Sequence, residues 1–538
     1  MSCRSALFAA CVAFCSAAVR AEVALPPVIS DHMVLQRDVA APIWGTASPD
    51  EMISVSIAGQ TKTTKTDDKG KWSVRLDPLK VAEGLTLTVK GRNTMTITDV
   101  LVGEVWLGSG QSNMALDLQS FTKDAAALAK AAAAAGSRRY VSPVSDDTLE
   151  KAAAVTSPKL RLFRQGSKGW ELAEPANNAR FSALLFAFGF RLQQELDVPV
   201  GIMVGAVGGT PSGYWLTDEM YRSDAACQEQ AKQFAQTYDF DAAMKTYEQQ
   251  LAEWKPAAAK AKQAGATPPR PPIRPAKAGE SGGRIGNLYE THIRPYVPYA
   301  IRGVLWDQGE SGTAITGVDQ FNVMGALIKG WRKEWGQDFP FLYMQKPSGY
   351  GCAWSDDDPV TKQASKFTPL PKLVPAATEG LYRELHIKIQ QHPQTAMVTS
   401  SDLGNGTHPV SKSAYGDRAC RVALGFVYGR NVEISGPLPA SHQIEGDKIR
   451  IKFTHTGKGL AAAHGDKLQG FTIAGADGEF VWADAVIDGD SVVVSSAAVL
   501  KPAAVRYAWG TVHPWANLFN KDGLPAQTFR TDAEPLKQ

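Results

Sequence analysis

Four short apolar runs, "VWLGSG", "GIMVGAVGG", "IRGVLWDQG" and "PFLYMQK", each stop abruptly at glycine or a polar residue. Longer helix-like segments lie between them, including "MALDLQSFTKDAAALAKAAAAAG" and "SALLFAFGFRLQQEL". Strands that are apolar along their whole length are buried on both faces, and alternation with helices is how a parallel sheet is wound. This pattern predicts an α/β core with a parallel sheet. Ligands of such sheets bind beyond the carboxyl ends of the strands, where the polar clusters fall.

The flanks have a different texture. From Ala24 to about Gly103, "MISVSIAG", "KWSVRL" and "TLTVKG" read as short strands separated by the turn signals "SPDE" and "DDKGK". From about Asn431, "KIRIKF", "GFTIAG", "DSVVVSS" and "AVRYAW" return to that pattern. The expected division is a leader at 1–21, an N-terminal β-sandwich-like domain at 22–100, an α/β domain at 101–430 and a C-terminal β-rich domain at 431–538. Residues 252–284, rich in Ala, Lys, Pro and Gly, read as a surface insertion, helical at first and then extended.

The leader rests on "MSCRSALFAACVAFCSAAVRAE", in which Arg4 precedes an apolar stretch too short to span a bilayer. Val19 and Ala21 suit a signal-peptidase site, which predicts an exported, periplasmic or secreted protein with no membrane segment in its mature form. A formal charge of +3, falling to +1 without the leader, gives no reason to expect nucleic acid as a partner. Cys227, Cys352 and Cys420 remain after cleavage, so disulfides do not build the fold. No Cys-x-x-Cys pair and no histidine cluster has metal-ligand spacing, so no metal is expected.

Ser112 follows the strand "EVWL" across Gly108-Ser109-Gly110 and opens a helix-like segment. A serine at a helix start keeps its own amide free, and the dipole there favours negative charge. Those are the requirements of an acyl-transfer nucleophile with one oxyanion donor built in; an ordinary helix cap is the alternative. "VGAVGGTPSGYW" offers a second backbone donor at Gly208 or Gly209, or else a tight turn. In "VLWDQGESG" the Gln308 amide is a candidate third donor, beside Asp307 and Glu310. His408 lies in a Gly-rich loop before a helix, a setting suited to taking the serine proton if a carboxylate orients its other nitrogen. The other histidines, His386 and His392 among them, read as structural or surface residues.

The ordered set "GQSNM", "GGT", "QGES" and "THP…K…G.R" resembles the sialate O-acetylesterase-like carbohydrate esterases of the SGNH hydrolase superfamily. The likeness extends to the flanks, through "VISDHMVLQRDVAAPIWGTA", "VRYAWG" and "NKDGLPAQTFRTD". It implies a flavodoxin-like core, with Ser112 as nucleophile, Ser112, Gly208 and Gln308 as the oxyanion hole, and His408 as general base. No cofactor is implied. The superfamily's acid stands three residues before the histidine, or two in some relatives; here those positions are Asn405 and Gly406. Asp402 is the nearest carboxylate and the favoured support. A Ser–His dyad held by a backbone carbonyl or Asn405, and a remote acid such as Glu310, are the alternatives. Gln111, Asn113, Tyr214 and Trp215 are candidate substrate-binding residues, and Trp354 is a further aromatic.

The resemblance implies removal of acetyl groups from acetylated oligosaccharides or polysaccharides. The diverged acid position and the insertions favour plant hemicellulose substrates such as xyloglucan or xylan, in polysaccharide degradation. A sialate 9-O-acetylesterase is the first alternative, and a non-catalytic glycan-binding protein with a decayed esterase core the second.

Overall fold

The computed structural model describes residues 22–136, 139–351, 365–404 and 406–532. The leader reading at 1–21, together with Cys352, Trp354 and Asn405, lies outside them.

The core strands, labelled in chain order, are β1 (Thr94–Gly110), β2 (Ser157–Arg164), β3 (Glu171–Ala173), β4 (Val200–Ala206), β5 (Gly303–Asp307), β6 (Phe341–Met344) and β7 (Thr395–Val398). They lie side by side in the order β7-β6-β5-β1-β4-β2-β3. All neighbouring pairs are parallel except β2 with β3. Taken alone, β4-β1-β5-β6-β7 has the 2-1-3-4-5 order of a doubly wound, flavodoxin-like sheet, and β2 and β3 extend its β4 edge. The strand order reverses between β1 and β5, so a crevice opens above their carboxyl ends.

Helices cover both faces because consecutive strand residues point to opposite sides. Val304 and Trp306 of β5 join the cluster that contains Trp331 of the helix Gln320–Trp335. Leu305 joins the opposite cluster, with Leu184 and Phe188 of Ala183–Leu196 and Tyr415 of Lys412–Phe426. Ser182 caps the second of these helices by accepting from the Leu185 amide at 3.1 Å.

Strand β1 is longer than the expected division allows. Its first half pairs antiparallel with Ala82–Lys90, and its second half is the centre of the parallel sheet. The expected boundary at 100/101 therefore falls inside one continuous strand. The C-terminal strands pair antiparallel around a separate apolar cluster that includes Ile449, Phe471, Val492 and Tyr507.

Two local readings change. The expected single helix after Ser112 is broken into Ser112–Ala115, a 3-10 turn Leu118–Phe121, and Ala125–Ala134. Asp117 interrupts it, accepting from the Ser120 amide at 3.2 Å and from Arg139. Short acceptors offer the backbone an alternative to the helix ladder. The insertion's helix begins earlier than expected, spanning Phe240–Gln263, with no fully buried residue. The Pro-rich segment after it folds back, and Trp254 Nε1 donates to the Pro269 carbonyl at 2.8 Å. Among the described residues no helix is long and apolar enough to cross a membrane, and Cys227 and Cys420 are free, buried thiols.

Candidate active site

Ser112 sits directly beyond the end of β1. Gly110 has φ +127°, and a Cβ there would lie 2.1 Å from the Asp307 carbonyl oxygen, so only glycine allows this turn. The Gln111 amide donates to that same carbonyl at 2.7 Å, which ties the turn to the end of β5. The chain then enters a short helix with Ser112 as its first residue.

His408 Nε2 lies 2.9 Å from Ser112 Oγ. The histidine is held from its other side by Tyr140, whose ring centroid is 4.5 Å from the imidazole and whose hydroxyl donates to the His408 carbonyl at 3.3 Å. Burial, with the charges of Lys412 and Lys346, lowers the His408 pKa below the ordinary imidazole value, against the opposing pull of Glu310. A neutral imidazole is the form that can accept a proton.

Gly208 lies against the same serine: a Cβ at Gly208 would be 3.4 Å from Ser112 Cβ and 4.0 Å from its amide nitrogen. Neither the Ser112 nor the Gly208 amide donates to another described backbone group. Both can therefore serve an oxygen placed beside Ser112 Oγ.

The remaining expected residues are arranged otherwise. Gln308 is buried, and its Nε2 already donates to the carbonyls of Thr210 (3.2 Å) and Gly312 (3.0 Å) while its Oε1 accepts from Gln320 (2.8 Å). Both amide hydrogens are spent on the loop, so Gln308 shapes the wall and is not the third oxyanion donor. Asp402 is closed by Arg418, whose guanidinium donates to its two oxygens at 3.2 and 2.9 Å. Its carboxylate faces this cation, with no hydrogen bond to His408. Trp215 is 0% exposed, packs edge-on against Trp306 and donates Nε1 to Thr210 Oγ1 at 3.1 Å, so it is core and not a sugar platform. Tyr214 is half-buried beside Gly283. Gln111 and Asn113 are buried and turned inward; Gln111 Nε2 donates to Glu310, and Asn113 Nδ2 to the Thr407 carbonyl at 3.0 Å. They brace the serine turn through these bonds.

Beneath the pair lies a buried ionic chain whose parts are far apart in sequence. Lys346 Nζ bridges Asp307 at 2.6 Å and Glu310 at 2.7 Å and donates to Ser348 Oγ at 2.9 Å. Burial opposes the Lys346 charge, but Asp307 and Glu310 outweigh it and raise its pKa. Lys346 ends the run "PFLYMQK" and Lys412 is the lysine of "THP…K", the only sequence signals either carries. Among the described residues no group of His, Cys, Asp and Glu has the arrangement of a metal site.

A serine-histidine pair at the switch point of a doubly wound sheet, flanked by free amides, is equipped for acyl transfer. The chain is similar to sialate O-acetylesterase from Homo sapiens, 28% identical over 465 residues, which cover 79% of this chain and 75% of the relative. The enzyme of that name from Rattus norvegicus is 25% identical over 522 residues, covering 90% of this chain and 89% of the relative. Among solved structures, a carbohydrate acetylesterase from Xanthomonas citri superposes with a TM-score of 0.70 at 29% identity, over 95% of this chain and all of that one. No protein-family model matches the chain. The protein is an esterase. More narrowly, the proteins it is similar to are sialate O-acetylesterases and a carbohydrate acetylesterase.

Proposed function

We propose that this chain is an exported carbohydrate O-acetylesterase with an SGNH-type site that works through a Ser112 acyl-enzyme. The observation that carries this reading is the 2.9 Å contact between Ser112 Oγ and His408 Nε2 beside Gly208. His408 Nε2 takes the Ser112 proton as Oγ attacks the acetyl carbonyl carbon. The amides of Ser112 and Gly208 receive the charge that develops on the carbonyl oxygen; one such donor is worth on the order of 10²–10³ in rate. Collapse of the intermediate breaks the ester bond, and the sugar alcohol leaves with the proton from His408. Water then gives a proton to His408 as its oxygen attacks the acetyl-serine carbonyl carbon; collapse breaks the bond to Oγ, His408 returns the proton to Ser112 Oγ, and acetate leaves.

The substrate class we propose is acetylated plant-type oligosaccharides, such as those of xyloglucan or xylan, supported by the diverged residues at 405 and 406. Sialate 9-O-acetyl esters are the second reading, which the names of the mammalian relatives favour. A decayed, glycan-binding core fits poorly with a serine and histidine in hydrogen-bond contact. Mass spectrometry of acetate released from acetylated xyloglucan, xylan and sialoside panels decides between the substrates. Ser112→Ala is expected to lose at least 10³-fold in the hydrolysis of p-nitrophenyl acetate. Equal rates for variant and wild type would sink the esterase mechanism.

A further inference from the structure

Lys412 is the first residue of the helix that follows the His408 loop, and its side chain is fully buried with no carboxylate in hydrogen-bond contact. Its Nζ donates to Asn113 Oδ1 at 2.8 Å and to the Pro409 carbonyl at 2.7 Å. The rings of Phe121 and Tyr415 flank it, each with its centroid 5.1 Å away. A buried ammonium is costly unless something requires it, and neutral acceptors repay less of that cost than a carboxylate does. The two acceptors are not arbitrary. Asn113 is the neighbour of Ser112 in the turn that presents it, and Pro409 is the neighbour of His408. The two partners of the 2.9 Å contact are thus joined a second time, through one nitrogen.

We propose that Lys412 is a positioning residue that locks the serine turn to the histidine loop and tunes the basicity of His408. The proposal rests on Ser112 and His408 being the catalytic pair. It assigns a role to a residue whose charge acts opposite to a triad acid: a cation near the imidazole disfavours imidazolium, keeping His408 in its base form. The charged and titratable groups facing Lys412 are Asp307 and Glu310 from the end of β5, Lys346 from the end of β6, and Asp146 from the segment before Asp147–Ala153. Burial pulls Lys412 down to about 7, so it changes charge near neutrality.

The test compares Lys412→Met, Lys412→Arg and Ser112→Ala on p-nitrophenyl acetate across pH, with thermal melting to confirm folding. Lys412→Met is expected to lower kcat by about 10–100-fold through misplacement of the pair, with KM within about threefold. The acid limb of its kcat/KM profile should move to higher pH, since repulsion of the imidazolium is gone. Lys412→Arg should leave that limb where wild type has it. A purely structural lysine would lower activity without moving the limb, and that result overturns the proposal, as does wild-type kcat in Lys412→Met. Where Lys412→Met does not fold, Asn113→Leu decides: a tenfold or greater fall in kcat at constant KM supports the lock, and an unchanged kcat overturns it. Should Ser112→Ala keep wild-type activity, the proposal falls together with the serine mechanism. An inactive Ser112→Ala beside an unaffected Lys412→Met removes the lysine's role alone.

Discussion

Arg418 closes the Asp402 carboxylate through both of its oxygens, at 2.9 and 3.2 Å, in a site where both side chains are buried. Arg418 also donates to the Thr399 carbonyl at 3.0 Å, so the pair pins the end of β7 to the helix Lys412–Phe426. The carboxylate nearest to His408 in sequence is therefore consumed in holding the histidine loop on the scaffold.

Asp402→Asn should act on stability and not on chemistry. Breaking a buried pair while leaving one charge behind costs about 3–5 kcal/mol. The denaturant midpoint should fall accordingly, while kcat/KM per folded molecule stays within about threefold. A loss of several hundredfold with an unchanged midpoint would restore Asp402 to the catalytic machinery.

The pH dependence follows from the environment of His408. Only neutral imidazole can act as base, and burial with Lys412 and Lys346 holds its pKa below the ordinary value of about 6.5. Activity should therefore persist as pH falls through 6.5 and decline only at lower pH. A profile of kcat/KM for p-nitrophenyl acetate whose acid limb sits above 6.5 would contradict this arrangement.

Gly208 and Gln308 should separate cleanly. Gly208→Ala puts a methyl group 3.4 Å from Ser112 Cβ, in the space the proposed mechanism gives to the oxyanion, without a strained backbone. We expect kcat to fall on the order of 10–100-fold with little change in melting temperature. Gln308→Leu strips the loop carbonyls of Thr210 and Gly312 of their donor, costing about 1–3 kcal/mol. Its signature is a lowered melting temperature; a large kcat loss in a variant as stable as wild type would make Gln308 a direct oxyanion donor after all.

His386 is expected to contribute to the loss of stability in acid. It is buried with neither ring nitrogen bonded to a described residue, and burial with the nearby Lys346 and Arg383 charges pulls its pKa down to about 3. The unfolded chain binds its proton near pH 6.5 and the folded chain does not, so stability is lost as pH falls from about 6.5 towards 3. Over that window the loss amounts to about 5 kcal/mol. His386→Leu should show a shallower decline of unfolding free energy across the same window, measured by urea titration at each pH. An identical slope would remove His386 from the account.

That Ser112, Gly208 and His408 lie together was legible because their signals are local. A glycine turn after an apolar run, a second glycine pair and a histidine in a glycine loop each mark a strand's end, and the sheet gathers strand ends at one edge. The apolar runs likewise fixed the layers, since strands buried on both faces leave few other ways to pack. Asp402, Gln308 and Trp215 are placed otherwise than expected for one shared reason: residue type and nearness in sequence do not reveal their partners. Their roles were set by partners 16 residues away at Arg418, 98 away at Thr210 and 91 away at Trp306.

By itself, the sequence determined a parallel α/β core between β-rich flanks and the glycine-bounded turn that carries Ser112. These follow from periodicity and backbone freedom, which act over a few residues. Only the tertiary structure decided that β1 runs unbroken from flank to core, that Asp402 answers to Arg418, and that Lys346 and Lys412 lie buried beneath the serine and histidine. Those outcomes depend on which charges and hydrogen-bond donors meet once water is excluded, and chain order does not contain that information.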